Sequence, residues 1–243
     1  MIIRSGILLF LLLLGWQSLV FALQLPDYLL PSPIQVVESA MMNTALLLHE
    51  TWPTCYETLL GFCLGILTGL IGGLLIASIP LVKRWVLPIM IISQAMPTFA
   101  IAPLLVLWFG YGLSAKIIIT IIMIFFPVMS AFYDGLTNTP TPMLEVARIQ
   151  GGSRFRTLYY IRIPAALPRL ASGIRIAAVI APMGAIIGEW VGSSQGLGYL
   201  MLTANARMEI DLMFAALGIV IIIALLLYFT VDSLLKKYIW WTI

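Results

Sequence analysis

The chain has 243 residues, of which 62% are hydrophobic and only 9% charged, with a mean hydropathy of +1.08. A soluble domain carries about 25% charged residues, so soluble globular packing is excluded and the class is an all-α, polytopic membrane protein. The formal net charge of +3 gives no nucleic-acid signal, because in a membrane protein the placement of basic residues says more than their sum.

In chain order, Met1 to Leu23 holds Arg4 and an apolar run from Ile7, broken only by Gly15, Gln17 and Ser18. The run is longer than the usual core of a signal peptide and no A-x-A site follows, which favours a retained first span over a cleaved leader. Gln24 to Pro53 has four prolines, acids Asp27, Glu38 and Glu50, and no Lys or Arg. Within it, Ile34 to Leu48 reads as a short amphipathic helix at an interface, and His49, without partners, as a solvated or interfacial residue. Thr54 to Ile79 is the second span. Gly61, Gly65, Gly69 and Gly73 recur every four residues on one face, which lets another helix approach closely, as fixed packing or as a moving contact. Cys55 and Cys63 share this helix, roughly 12 Å apart along its axis, too far for a disulfide.

Lys83 and Arg84 follow Pro80, and Val86 to Phe109 makes the third span, with Gln94, Pro97 and Pro103 inside it. Proline within a span frees backbone carbonyls, which is tolerated only against protein or a water-filled cavity. Gln94 is thus a pathway residue or a bond to a neighbouring helix. After a tight turn at Gly110–Ser114, Ala115 to Tyr133 is the fourth span, with Lys116 at its edge, placed to snorkel. Leu170 to Gly188 is the fifth, with Arg175 near its start. Glu189 to Asp211 is polar and Gly-rich, reading as turns or a re-entrant loop, and Gly192 to Met201 in it as a gate, a docking surface or a plain connector. Glu189 and Trp190 fall near water at the end of the fifth span. Leu212 to Val231 is the sixth, closed by Asp232, Lys236, Lys237 and an interfacial Trp240–Trp241 pair. The pathway or gate candidates are Gln94, Pro97, Glu189, Trp190, Gly196, Gly198 and Asn205.

Six spans put both termini on one side, together with Arg4, Lys83, Arg84, Arg148, Arg154, Arg156, Arg162, Arg169, Lys236 and Lys237. The positive-inside rule makes that side cytoplasmic.

Glu145 to Pro168 is the conspicuous basic segment. After Thr139-Pro140-Thr141-Pro142 it reads as helix, a break at Gly151-Gly152-Ser153, then a second helix stopped at Pro164. Anionic lipid headgroups account for its arginines. They do not account for the glycine pair or for Ile149, Phe155 and Leu158, which with the arginines suit docking in a cleft of a soluble partner. Glu145 is placed in a helix N-terminal turn, favoured by the dipole and in reach of an arginine.

Glu145, Ala147, Gly151, Ile161 and Pro164 match the spacing of the EAA loop of ABC-importer permeases, E-A-A-x3-G-x9-I-x-L-P, with Val146 and Ile163 as conservative departures. WFGYG at 108–112, FFP at 125–127, PAALPRLASGIRIA from Pro164 and GEWVGSSQGLGYLM from Gly188 resemble permeases of the nitrate/sulfonate/taurine class. The stretch EWVGSSQGLGYLMLTANARMEIDLMFAAL looks like permeases proposed to import pyrimidine precursors of thiamine. The resemblance implies a type I ABC importer (MetI-like) permease fold: residues 1–53 as first span and external segment, and 54–243 as permease core, with a cytoplasmic EAA loop over 140–168. It implies a bacterial inner-membrane permease that is not an enzyme and binds no cofactor, ATP being bound by a partner. The implied partners are two ABC ATPase subunits, a second permease copy in a homodimer, an extracytoplasmic substrate-binding protein and membrane lipid, with no nucleic acid. Glu145, Ala147, Arg148, Gly151, Gly152, Arg154, Phe155 and Pro164 are then the ATPase-coupling residues.

The chain fits this independently. It has no G-x4-G-K-[ST] phosphate loop, no midspan acid suited to proton coupling and no metal-ligand cluster. An ion-coupled secondary transporter, a membrane-embedded enzyme and a structural anchor are the competing classes. They lack, respectively, the mid-membrane charges, the acid pair or ligand set, and any use for a proline-broken span.

Overall fold

The computed structural model describes residues 2–239 and 241; the side chains of 2–5, 9, 93 and 95 lie outside the described set, as does Trp240. The described residues form helices and no strands. Helix α1 (Ile2–Leu23) is followed by α2 (Pro33–Met42), α3 (Thr44–Ser78), α4 (Pro80–Ala95), α5 (Thr98–Phe109), α6 (Leu113–Thr137), α7 (Thr141–Ile149), α8 (Arg154–Thr157), α9 (Ile163–Gly192), α10 (Leu197–Ala206) and α11 (Ile210–Tyr238). Among the described residues, five helical stretches are long and apolar enough to cross a membrane: 6–23, 44–78, 113–137, 154–192 and 210–238.

Helix α6 is the centre, clasped between α3 on one side and α9 on the other. The glycine stripe explains the first contact. Gly61, Gly65, Gly69 and Gly73 lie against Thr120, Ile124, Val128 and Phe132 in turn, so the two helices run in register, four residues at a time. A Cβ on Gly61, Gly65 or Gly69 would come under 3.0 Å from the opposing side chain. The α9 side repeats the device: Gly173 lies on Ala131 and Pro127 O, Gly184 on Thr120 and Gly188 on the Lys116 backbone. The stripe therefore packs α3 closely on α6 from Thr120 to Phe132. Phe62, Ile124, Val128, Phe132, Ala177, Ala181 and Val231 fill the resulting core. A Gly65→Leu chain is expected to lose about 1–3 kcal/mol by overpacking and to melt earlier in detergent. Gly15→Leu, at a site with nothing within 4 Å, should melt as the parent does.

Four sequence expectations change here. The second span does not begin at Thr54: α3 starts at Thr44 and runs through Pro53, so the division at 53/54 falls inside one helix. The carbonyl that Pro53 cannot bond is that of His49, an exposed residue one turn earlier. The amphipathic segment is correspondingly shorter, ending at Met42, and starts in a capping box of Ser32 and Gln35. The third span is two helices, α4 and α5, broken at Met96-Pro97, because Pro97 disfavours helical backbone at the residue before it and takes the N-cap of α5. Pro164 does not stop the helix. A π-turn over Leu158–Arg162 carries α8 straight into α9, and Pro164 sits in the first turn of α9, where a missing N–H costs little.

Helix α11 packs on α9, clipped at the arginine-rich end by Arg175 Nε to Asp232 Oδ1 at 2.7 Å, with Lys236 on the other carboxylate oxygen at 2.7 Å. Arg175 is thus bound to a neighbour. Helix α1 is peripheral and meets α11 through Trp16 and Phe214, ring centres 5.5 Å apart. Both cysteines are free.

Candidate functional site

Two assemblies of polar residues stand at opposite ends of the bundle. The arginine-rich end carries the EAA-like segment. Helix α7 ends in a Schellman motif: Gly152 N–H donates to Ala147 O at 2.8 Å and Gly151 N–H to Arg148 O at 3.0 Å. Gly151 takes φ +68°, the left-handed conformation such an ending requires. Gly152 is needed for a different reason, since a Cβ there would meet Ala147 O at 2.8 Å. Ser153 then caps α8, its hydroxyl accepting the Arg156 N–H at 3.3 Å. Arg154 donates to Ser78 O at the end of α3 at 3.1 Å, pinning the turn to the bundle where the helix dipole favours a cation.

The face this presents is apolar and cationic together. Ile149 is 86% exposed and Phe155 75%, beside exposed Val146, Arg148, Arg154 and Arg156, while Ala147 is buried against the bundle. Such a patch, rimmed by polar residues, marks an interaction surface. Glu145 departs from expectation. It is the fifth residue of α7, and the first turn contains no acid, so the dipole does little for it; among the described residues it makes no ion pair. Pro164 lines a groove of about 550 Å3 with Met143, Tyr160 and Trp241, so Trp241 lies against protein.

At the far end, Lys116 of α6 donates to Glu57 Oε1 of α3 at 2.5 Å, and the two side chains are 4% and 3% exposed. Lys116 therefore does not snorkel. Gly188 brings α9 so close to α6 that α3 and α9 enclose the lysine. Glu189 is also completely buried, not near water. Its Oε1 accepts from the Thr54 hydroxyl at 2.7 Å and its Oε2 from Gly198 N–H at 2.5 Å. Thr54 Oγ1 accepts Leu197 N–H at 2.9 Å, and Glu50 Oε2 accepts Gly196 N–H at 2.5 Å. Three successive N–H groups at the start of α10 are thus held by side chains of α3 and α9. A helix N-terminus offers these groups unsatisfied and favours negative charge; here two carboxylates and a hydroxyl meet them. The stretch from Gly192 to Met201 is accordingly no loose loop. It is a short turn followed by a helix seated on Leu47, Ile186 and Leu212.

Above this cluster opens a cavity of about 890 Å3, lined by Trp52, Tyr56 and Glu57 of α3, Tyr111, Lys116 and the turn Ser193–Gln195. His49 is at its rim, exposed, with Nδ1 3.0 Å from Glu50 Oε1.

The pathway candidates separate. Glu189, Gly196 and Gly198 belong to the far-end cluster. Asn205 is exposed at the other end of α10, and Trp190 is half-exposed on α9. Gln94 and Pro97 lie elsewhere, exposed at the α4–α5 break. Residues the sequence reading passed over are Glu50, Thr54 and Glu57. Their signal was present: at steps of four, three and four they extend the stripe that continues at Gly61, placing polar groups on the packed face of α3. Acids do therefore stand within spanning helices: Glu57 well inside α3, and Glu189 near the end of α9.

The family model for the binding-protein-dependent transport system inner membrane component matches residues 61–239. A probable ABC transporter permease protein of Haemophilus influenzae is 52% identical over 229 residues, 94% of each chain. The formylaminopyrimidine transport permease of Halalkalibacterium halodurans is 33% identical, covering 85% of this chain and 83% of that one. The riboflavin transport system permease of Chloroflexus aurantiacus is 34% identical, covering 96% and 88%. In fold, the chain is similar to a subunit of the inward-facing MetNI methionine ABC transporter, with a TM-score of 0.69 at 21% identity over 80% of this chain and 97% of that one.

Proposed function

This chain belongs to the family of inner-membrane components of binding-protein-dependent transport systems, and we propose that two copies of it form the solute pathway of an importer for small heteroaromatic compounds, thiamine pyrimidine precursors first among them. As a member it is a multi-pass, non-catalytic permease subunit of an ABC importer. The energy comes from an ATPase partner, and an extracytoplasmic binding protein delivers the solute. The arginine-rich end faces the cytoplasm of a bacterial cell, as the distribution of Lys and Arg favours.

The observation that carries the coupling role is the exposed Ile149–Phe155 face on its Schellman turn. A groove in each ATPase subunit receives it, and closure of the ATPase pair drives the two permease copies between inward-open and outward-open arrangements by rigid-body motion. Pinning by Arg154 to the end of α3 gives the push a rigid lever. The α4–α5 break supports the pairing of two copies. Backbone groups freed within the membrane need protein or water, yet Gln94, Met96 and Phe99 at the break are exposed on the single chain. A second copy across a water-lined pathway meets that need. The substrate class rests on the relatives named for formylaminopyrimidine and riboflavin, both flat nitrogen heterocycles. Import of sulfonates, taurine or nitrate by the same machinery is the alternative.

The test is a pull-down of the tagged chain from membranes in mild detergent, with partners identified by mass spectrometry. Recovery of an ATPase carrying a phosphate-binding loop is expected. Recovery of the chain alone from several gentle detergents would overturn the coupling role and return weight to ion-coupled transport or anchoring.

A further inference from the structure

We propose that the cavity over the Glu57–Lys116 pair is a solute subsite of the permease itself, selective for an uncharged or weakly basic flat nitrogen heterocycle over an anion. The proposal rests on the importer reading above and adds to it a place and a selectivity.

Three features of the cavity carry it. The first is size and lining. At about 890 Å3 it falls in the range of about 300–1,000 Å3 found for small-molecule sites. Trp52, Tyr56 and Tyr111 reach it from two different elements. Aromatic residues that merely anchor a span at the membrane surface face outward toward headgroups; these three line one concavity. Rings so placed stack on a flat solute, each such pair adding to affinity beyond the area it covers.

The second is donor capacity. The Lys116 ammonium has three N–H groups. Among the described residues it gives one, to Glu57 Oε1. The remaining N–H groups suit a ring nitrogen or carbonyl oxygen of a heterocycle. Gln195, on the opposite lip, supplies both an acceptor and a donor for exocyclic groups.

The third is charge. Glu57 and Lys116 both line the cavity and are paired with each other. Counted formally, this pair leaves the wall without net charge. A sulfonate or nitrate gains no net attraction there and gives up its hydration on entering a site of low dielectric. A neutral ring loses far less on the same transfer. The buried pair thus supplies hydrogen-bonding groups without a net positive field, which separates ring solutes from the small anions that related machinery could carry.

The experiment uses the detergent-purified complex of this chain with its ATPase, without binding protein, and measures equilibrium binding of tritiated formylaminopyrimidine. Saturable binding is expected, weakened about tenfold or more in Tyr56→Ala and in Tyr111→Ala, and retained in Tyr56→Phe, which keeps the ring. Taurine in hundredfold excess should leave it undisplaced. Tyr111 is 85% exposed in the α5–α6 turn, so its truncation tests the ring and not the folding of the bundle. Absence of saturable binding in a complex that still hydrolyses ATP overturns the subsite while the importer reading stands. Equal displacement by taurine overturns the selectivity, and alanine variants that bind as the parent does overturn the location. Failure of any ATPase to co-purify would instead count against the importer reading.

Discussion

Replacing Lys116 by methionine is expected to cost about 3–5 kcal/mol of stability, the penalty for removing one partner of a buried ion pair. Methionine keeps the length of the side chain and its packing against the α9 backbone at Gly188, so the change is mainly electrostatic. What it leaves is Glu57 and Glu189 enclosed between α3, α6 and α9 with no cation beside them. The damage should spread to α10, because Glu189 and Thr54 hold its first N–H groups. Thermal unfolding in detergent, followed by tryptophan fluorescence, would show the loss as a large fall in melting temperature. The companion variant, Lys116→Met with Glu57→Met, should recover most of it, since exchanging a whole buried pair for apolar residues is often neutral or stabilising. An unchanged melting temperature in Lys116→Met would show that the pair contributes nothing to holding the three helices together. A double variant no better than the single one would place the cost in packing and not in charge.

Gly151→Asp is expected to leave the protein in the membrane while uptake falls by about tenfold or more and any ATP hydrolysis by the partner continues without it. Gly151 has φ +68° and open space where a Cβ would project, so the substitution meets backbone strain and not a steric clash. An L-residue in this region costs roughly 1–2 kcal/mol, too little to unfold a bundle whose core lies elsewhere. It suffices to disfavour the Schellman turn that joins the segments carrying Ile149 and Phe155. Aspartate also adds negative charge beside Arg148 and Arg154. Asparagine tolerates the left-handed region better than most residues, so Gly151→Asn should retain much of the uptake. Normal uptake by the aspartate variant would remove the turn from the coupling machinery. Failure of the protein to reach the membrane would show it to be a folding element instead.

The exposed turn between α7 and α8 was legible in the sequence because its signals are local. A proline pair, a helix-forming stretch, a glycine pair and a serine cap follow one another within a few residues, and each sets backbone geometry through its neighbours. What was misread there is also local in origin. Pro164 looked like a stop because proline ordinarily breaks a helix, but the π-turn before it places it in the first turn of α9, where its missing N–H does no harm. The third span was read as one helix because its hydropathy is continuous; the break at Met96-Pro97 is a matter of backbone geometry that hydropathy does not register.

The sequence by itself determined the all-helical membrane class, the EAA-like segment and the glycine stripe of α3, since hydropathy and residue spacing need no knowledge of partners. It could not determine what the stripe faces or where the buried charges meet. Thr54 and Glu189 are 135 positions apart, Lys116 and Glu57 are 59, and Gly196 and Glu50 are 146. No propensity links residues so distant. Only the packing of α3 and α9 on α6, made close by Gly61 and Gly188, brings them within hydrogen-bond reach. An edge lysine thereby becomes half of a buried pair with Glu57, and an acid at the end of a span becomes the latch of α10. Lone charges inside a membrane bundle are costly, so their positions become intelligible only once the tertiary structure supplies their partners.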